Sequence, residues 1–212
     1  MNLIFLGPPG AGKGTQAKVV CKHFNLEHIS TGDLLRSVVK SNSLIGEKTR
    51  EFMNKGLLVP DEIVVEIVAQ EIKKNSKGFI LDGFPRNLAQ SEFLESALSS
   101  ADIFLNKVFN FITSPEKVVD RLSGRRVCPK CRAIYHIKNM PPLEEGICDK
   151  CAGILAQRDD DKEEAIKERL RVYKQLSEPL ISYYQEKGIL CDVDGDLNVE
   201  PLFGIIKEIL EI

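Results

Sequence analysis

Leu3-Ile4-Phe5-Leu6 runs directly into Gly7-Pro8-Pro9-Gly10-Ala11-Gly12-Lys13-Gly14-Thr15, and this junction decides the fold. The apolar run has the character of a short strand buried on both faces. A glycine-rich turn follows it, and then a helix. Glycines let the backbone wrap closely around a phosphate, while the turn N–H groups and the helix N-terminus supply positive potential there. Lys13 adds a mobile point charge for the outer phosphates, and Thr15 brings a hydroxyl near the expected magnesium. The strict phosphate-loop pattern has Ser or Thr directly after the lysine, whereas Gly14 intervenes here. A glycine-rich loop that binds nothing is the alternative. The strand before the loop and the lysine inside it favour a nucleoside triphosphate.

Working outward, strands and helices alternate, which predicts an α/β fold with a parallel sheet covered by helices on both faces. The predicted strands are Asn2–Leu6, Glu27–Ile29, Gly78–Asp82, Val108–Ile112 and Ile189–Val193. Predicted helices cover Lys13 to Phe24, a start at Ser30-Thr31-Gly32-Asp33 with a capping hydroxyl, and a start at Pro60-Asp61-Glu62. In the last of these, Ile63, Val64, Ile67, Val68 and Ile72 recur at helical spacing. Pro115-Glu116 opens another, and Asp161 to Lys187 reads as one long charged helix bent near Pro179. Residues from about 30 to 59 and from about 124 to 161 interrupt the alternation as small inserts.

The 212 residues suffice for a sizeable core. A hydrophobic content of 43%, a charged content of 28% and a net charge of -2 describe an ordinary globular chain without a global basic field. No apolar stretch approaches the roughly 18 residues that cross a bilayer, and the N-terminal run is too short for a signal peptide, so a cytoplasmic location is expected. Cys128, Cys131, Cys148 and Cys151 form C-x2-C-x16-C-x2-C, a spacing that suits four thiolates converging on zinc. An iron centre or metal-free thiols are the alternatives, and disulfides are disfavoured in a reducing cytosol. Four sulfur ligands leave no open position, so the metal is expected to be structural. Cys21 and Cys191 are expected to be inert and buried.

Asp82 ends an apolar strand and is placed to hold magnesium, directly or through water; the plain alternative is a turn residue. Arg36, Arg86, Arg125, Arg158 and Arg169 lie near loops, insert edges or helix turns, where guanidinium groups fork onto phosphate oxygens. Taken singly, each is better read as a solvated surface or ion-pair residue. The run Arg158-Asp159-Asp160-Asp161-Lys162-Glu163-Glu164 has two open readings. It is a charged first helical turn favoured by the helix dipole, or a set of carboxylates that fix arginines across a closing lid. His23, His28 and His136 form no set, and none is assigned a catalytic role.

Four motifs together resemble the adenylate kinase family: Gly7 to Thr15, Ile29-Ser30-Thr31-Gly32-Asp33-Leu34-Leu35-Arg36, Phe79-Ile80-Leu81-Asp82-Gly83-Phe84-Pro85-Arg86, and Gly124-Arg125-Arg126. The resemblance spans essentially the whole chain. It implies a phosphate-loop three-layer fold with a central five-stranded parallel sheet. The core would comprise residues 1–29, 60–123 and 162–212, with a helical monophosphate-binding insert at 30–59 and a zinc-binding lid at 124–161. It implies that Gly10, Ala11, Gly12, Lys13, Gly14 and Thr15 hold ATP phosphates, with Arg125, Ile134, Tyr135 and Leu197 completing the ATP side. Thr31, Arg36, Leu57, Leu58, Val59, Gly83, Phe84, Pro85, Arg86 and Gln90 would hold AMP. Arg158 and Arg169 would clamp phosphates on both sides, with Asp160 and Asp161 assisting closure, and Lys13, Arg86 and Arg125 would share in catalysis. Magnesium accompanies ATP, with Asp82 holding it through water; zinc fills the cysteine site, and the chain is expected to be a monomer without nucleic-acid or membrane partners. The implied reaction is ATP plus AMP to two ADP. Remaining alternatives are another base preference (UMP, CMP, or GTP as donor) and a zinc-bearing nucleic-acid switch that hydrolyses ATP slowly.

Overall fold

Five strands, β1 (Asn2–Leu6), β2 (Glu27–Ser30), β3 (Phe79–Asp82), β4 (Lys107–Ile112) and β7 (Leu190–Asp194), form a sheet in the order β2-β3-β1-β4-β7 with every pairing parallel. The computed structural model describes residues 1–41, 43–75 and 77–211. Alternate residues of each strand point to opposite faces, and the core divides accordingly. Ile4, Leu6, Leu81 and Val108 pack against α4 (Asp61–Lys74), α5 (Leu88–Ser100) and α8 (Pro179–Glu186) through Val64, Val68, Leu94, Leu98 and Tyr184. Leu3, Phe5, Ile80, Phe109 and Phe111 pack against α1 (Lys13–Phe24) and α9 (Val199–Glu211) through Ala17, Val20, Leu202 and Ile206. Burying one such side chain fully is worth about 1.5–3 kcal/mol, so the sheet is clamped from both sides. This is the expected architecture.

The strand order reverses at β1: the chain builds β2 and β3 on one side and then crosses to β4 and β7. In open parallel sheets, ligands bind outside the carboxyl ends of the strands at such a reversal. The glycine loop after β1 and Asp82 at the end of β3 both lie there.

Residues 30–59 carry α2 (Thr31–Val39) and α3 (Leu44–Asn54). The expected hydroxyl cap of α2 is absent: Ser30 makes no side-chain cap bond, and the Thr31 hydroxyl instead donates to the Asp82 carbonyl at 2.9 Å. After α6 (Pro115–Ser123), residues 124–161 hold the antiparallel pair β5 (Arg125–Val127) and β6 (Ile134–His136).

The long helix expected from Asp161 to Lys187, bent near Pro179, starts instead at Glu163 and continues to Glu186 through a wider turn just before Pro179. A 3-10 turn at Asp159–Asp161 leads to α7 (Glu163–Val172), then a π-helical turn at Tyr173–Ser177, then α8. Pro179 has no N–H and its ring crowds the carbonyl four residues earlier. The preceding turn widens in response, and the Glu178 N–H reaches back five residues to the Tyr173 carbonyl at 3.0 Å. Cys21 is buried as expected, whereas Cys191 is only partly covered. Among the described residues no helix is long and apolar enough to cross a membrane.

Candidate active site

A cleft of about 630 Å³ opens at the carboxyl edge of the sheet. Its floor is the glycine loop. Gly12, in the left-handed region at φ 88, caps α1, which only glycine adopts freely. Lys13 folds back so that Nζ donates to the carbonyls of Gly7 at 2.7 Å and Pro8 at 2.8 Å. Burial lowers its amine to about 8; Asp82 opposes that shift, while Arg86, Arg169 and Arg125 reinforce it.

Gly14 explains the departure from the strict loop pattern. A Cβ at that position would come within 2.9 Å of Asp82 Oδ2, so a side chain there would displace the carboxylate. Asp82 itself is largely buried and lies 3.2 Å from His28 Nε2. Burial would raise its carboxyl, but the His28 hydrogen bond and the Lys13 charge outweigh that and hold it below the usual range.

All five arginines singled out from the sequence reach this cleft. Arg36 pairs with Asp33 at 2.7 Å within α2. Arg86 is braced by the Gly83 carbonyl at 2.8 Å, and its own carbonyl accepts from the Ser177 hydroxyl at 2.8 Å. Burial, with Arg169 next in weight, lowers Arg86 to about 10. Arg158 is lowered to about 10 by burial, then by Arg125 and Arg36, and its Nε is buried with no hydrogen-bond partner. So many cations facing one cavity leave a field that only an anion satisfies.

The acidic run after Arg158 divides between its two readings. Asp159 pairs with Lys162 at 3.0 Å on the surface. Asp160 meets Arg169 at 3.1 Å; burial would raise its carboxyl, but Arg169 and then Arg125 hold it low. Asp161 is 1% exposed and takes Arg125 in a two-pronged pair, with Nε to Oδ2 at 2.7 Å; Arg169 Nη1 lies 3.4 Å from its Oδ1. Asp161 therefore sits beneath the cleft as a brace and does not line it.

One further expected site residue turns away, and another reaches the cleft with its hydroxyl engaged elsewhere. Phe84 is buried in the apolar core behind its loop, and the loop offers Gly83, Pro85 and Arg86 to the cleft instead. Tyr135 reaches the cleft wall, but its hydroxyl is taken by the cysteine cluster, 3.4 Å from Cys148 Sγ and 2.9 Å from the Asp149 amide that donates to it.

The four cysteine sulfurs lie within 4.8 Å of one another, with Cys128–Cys151 and Cys131–Cys148 both at 3.4 Å. Tetrahedral zinc thiolate needs an S–S edge of about 3.8 Å, so the set fits such an ion. Both turns are alike: Arg132 N donates to Cys128 O at 2.9 Å, and Ala152 N donates to Cys148 O at 2.8 Å. Arg132 and Ala152 are both left-handed. The Tyr135 hydroxyl holds the Cys148 thiol below its ordinary value, while Cys131 and Cys128 push the Cys151 thiol above its own.

The family model for adenylate kinase matches residues 5–189. The adenylate kinase of Archaeoglobus fulgidus is 53% identical over 213 aligned positions, covering 100% of this chain and 98% of its own. That of Caldicellulosiruptor bescii is 49% identical, with 100% and 98% covered; that of Clostridioides difficile is 46% identical, with 96% and 95% covered. The chain belongs to the adenylate kinase family. Adenylate kinases use magnesium–ATP, and this cleft has the cationic lining that such a substrate needs.

The family resemblance did not lead to four residues at this site. His28 faces Asp82, a juxtaposition that depends on the β2–β3 register. Arg121 holds the carbonyl of Gly195 at 2.7 Å and lies 3.4 Å from that of Leu197, steadying the loop that brings Leu197 to the cleft. Asp61 and Asn87 tie the start of α4 to the loop before α5. Asp61 has a sequence signal, but as a first-turn acid of a helix it reads as an ordinary cap.

Proposed function

We propose that the chain transfers the terminal phosphate of magnesium–ATP to AMP, reversibly, giving two ADP in the service of adenine nucleotide balance. The observation that carries this reading is the convergence of Lys13 with Arg36, Arg86, Arg125, Arg158 and Arg169 on one cleft, with Arg158 Nε buried and unpartnered.

ATP phosphates would lie along Gly10 to Thr15, with Arg125, Ile134, the main chain at Tyr135 and Leu197 around the rest of the nucleotide. AMP would lie against Thr31, Arg36, Leu57 to Val59, Gly83, Pro85, Arg86 and Gln90, and Arg158 and Arg169 would span the two. An AMP phosphate oxygen then attacks the γ-phosphorus in line. The new P–O bond forms as the bond to the β,γ-bridging oxygen breaks, and ADP departs from each side. Catalysis here is positioning and charge neutralisation. Lys13 keeps its ammonium below about pH 8 and follows the transferring group, while Arg86 holds the acceptor phosphate. Asp82, through water, and Thr15 would hold the magnesium of ATP, which would neutralise phosphate charge.

The same reading divides the chain into a core of residues 1–29, 60–123 and 162–212, an acceptor insert at 30–59 and a lid at 124–161. Closing the two inserts would exclude water, which otherwise competes as acceptor. The cysteine set would hold a structural zinc, and thiolate ligands of this kind suit a reducing, cytoplasmic setting. One chain supplies both sides of the cleft, which favours a monomer as the working unit.

The test is to supply magnesium–ATP with AMP, GMP, CMP and UMP in turn and to measure diphosphates. ADP formation with AMP alone is expected. Faster turnover with another monophosphate, or release of orthophosphate without transfer, would overturn the assignment.

A further inference from the structure

Gln90 lines the cleft yet is 1% exposed, and both ends of its amide are already engaged. Its Oε1 accepts from the Arg86 backbone N–H at 2.7 Å. Its Nε2 donates to Asp61 Oδ1 at 2.6 Å. Asn87 steadies the same carboxylate, with Nδ2 at 3.1 Å and 3.0 Å from its two oxygens, and Asn87 Oδ1 accepts the Gln90 backbone N–H at 2.8 Å. A free glutamine amide is ambidextrous, because rotation by half a turn exchanges donor and acceptor. Here it is not. A backbone N–H only donates and a carboxylate only accepts, so the reversed amide would face donor to donor at Arg86 and acceptor to acceptor at Asp61.

We infer that Asp61 is a specificity-determining positioning residue, which fixes the direction of the Gln90 amide so that it matches a 6-amino purine and rejects a 6-keto one. This rests on the proposed placement of AMP against Gln90, whose amide, able to donate and accept along one edge, is taken to face the base. After its two internal bonds, Gln90 has one N–H and one oxygen lone pair left. Adenine offers an amino donor beside a ring-nitrogen acceptor, which complements that pair. Hypoxanthine and guanine offer a carbonyl acceptor beside an N–H donor, the reverse order. To bind them as well, Gln90 would have to turn over, and the Asp61 charge opposes the turn most strongly because hydrogen bonds to ionised groups are about twice as strong as neutral ones. Base choice is thereby set by a carboxylate behind the reading side chain.

The experiment compares AMP with IMP, which differ only at this edge of the base, as acceptors from magnesium–ATP in the wild type, Asp61→Asn and Asp61→Glu. Wild-type transfer to AMP checks the underlying reading by itself, and failure there removes the function rather than the role of Asp61. With that in hand, Asp61→Asn is expected to lower the ratio of kcat/KM for AMP over IMP by about tenfold, within the range that one bidentate base contact contributes. The KM for ATP should stay unchanged. Asp61→Glu, which restores the charge, should recover most of the ratio. A merely structural Asp61 would lower both acceptors alike and leave the ratio within twofold of the wild type, which overturns the inference. If Asp61→Asn does not fold, the Asp61→Glu and wild-type ratios decide: a wild type that does not distinguish AMP from IMP, or a Glu variant that folds but discriminates no better than twofold, overturns it equally.

Discussion

The phosphate cleft and the cysteine knot stand at opposite extremes of how a chain holds its shape. Around the cleft, two apolar layers clamp a parallel sheet, and that rigid frame supports groups that are costly to keep. Lys13 sits buried among arginines that depress its amine, Arg158 Nε has no partner, and Gly14 gives up a side chain to let Asp82 in. The knot has almost no such frame. Among the described residues, its buried apolar cluster is Ala133, Tyr135 and Leu155 together with Cys128 and Cys148. In the proposed reading, a zinc ion held by its sulfurs does there what burial does in the sheet. One region is a stable scaffold carrying frustrated charge; the other is a thin scaffold with its polar groups satisfied.

The largest effect that distinguishes the two regions is expected at Lys13. Lys13→Met removes the mobile cation and should lower turnover about 100-fold or more, on the scale of losing one preorganised donor to a developing charge. The thermal midpoint should move by only a few degrees, because the sheet and not the lysine holds the fold. Near-normal turnover would end the proposed role. Stripping the metal should do the opposite. Chelation is expected to lower the thermal midpoint by about 5–10 °C, a shift on the scale of a few kcal/mol for a chain of this size, while at low temperature more than a tenth of the turnover survives. Metal analysis should find one zinc per chain. A chain that purifies without tightly bound metal and keeps its midpoint in chelator would erase the contrast.

Much of this was legible in the sequence because local pattern and spacing carry it. The run Leu3 to Thr15 fixes a strand, a turn and a helix start without reference to the rest of the chain, and the cysteine pairs announce a cluster by spacing alone. Arg36, Arg86, Arg125, Arg158 and Arg169 stood out only as a set, and the fold supplies the reason they meet. What stayed hidden depends on pairs distant in sequence. His28 meets Asp82 through strand register, and Asp61 meets Gln90 across the tops of two helices. Phe84 lies in the right segment but turns into the core, and Tyr135 lines the cleft while its hydroxyl joins the cysteine cluster, choices of packing that no motif records. The helix after Asp161 is disturbed near Pro179 as its sequence implies, with the widening falling on the preceding turn at Tyr173–Ser177.

The most direct test of the central claim uses no ATP at all. The protein is incubated with ADP and magnesium, and the nucleotides are separated over time. Transfer between two nucleotides in one closed cleft predicts ATP and AMP appearing in equal amounts until the three reach equilibrium, with no orthophosphate. AMP with orthophosphate and no ATP, or ADP left untouched, would contradict it.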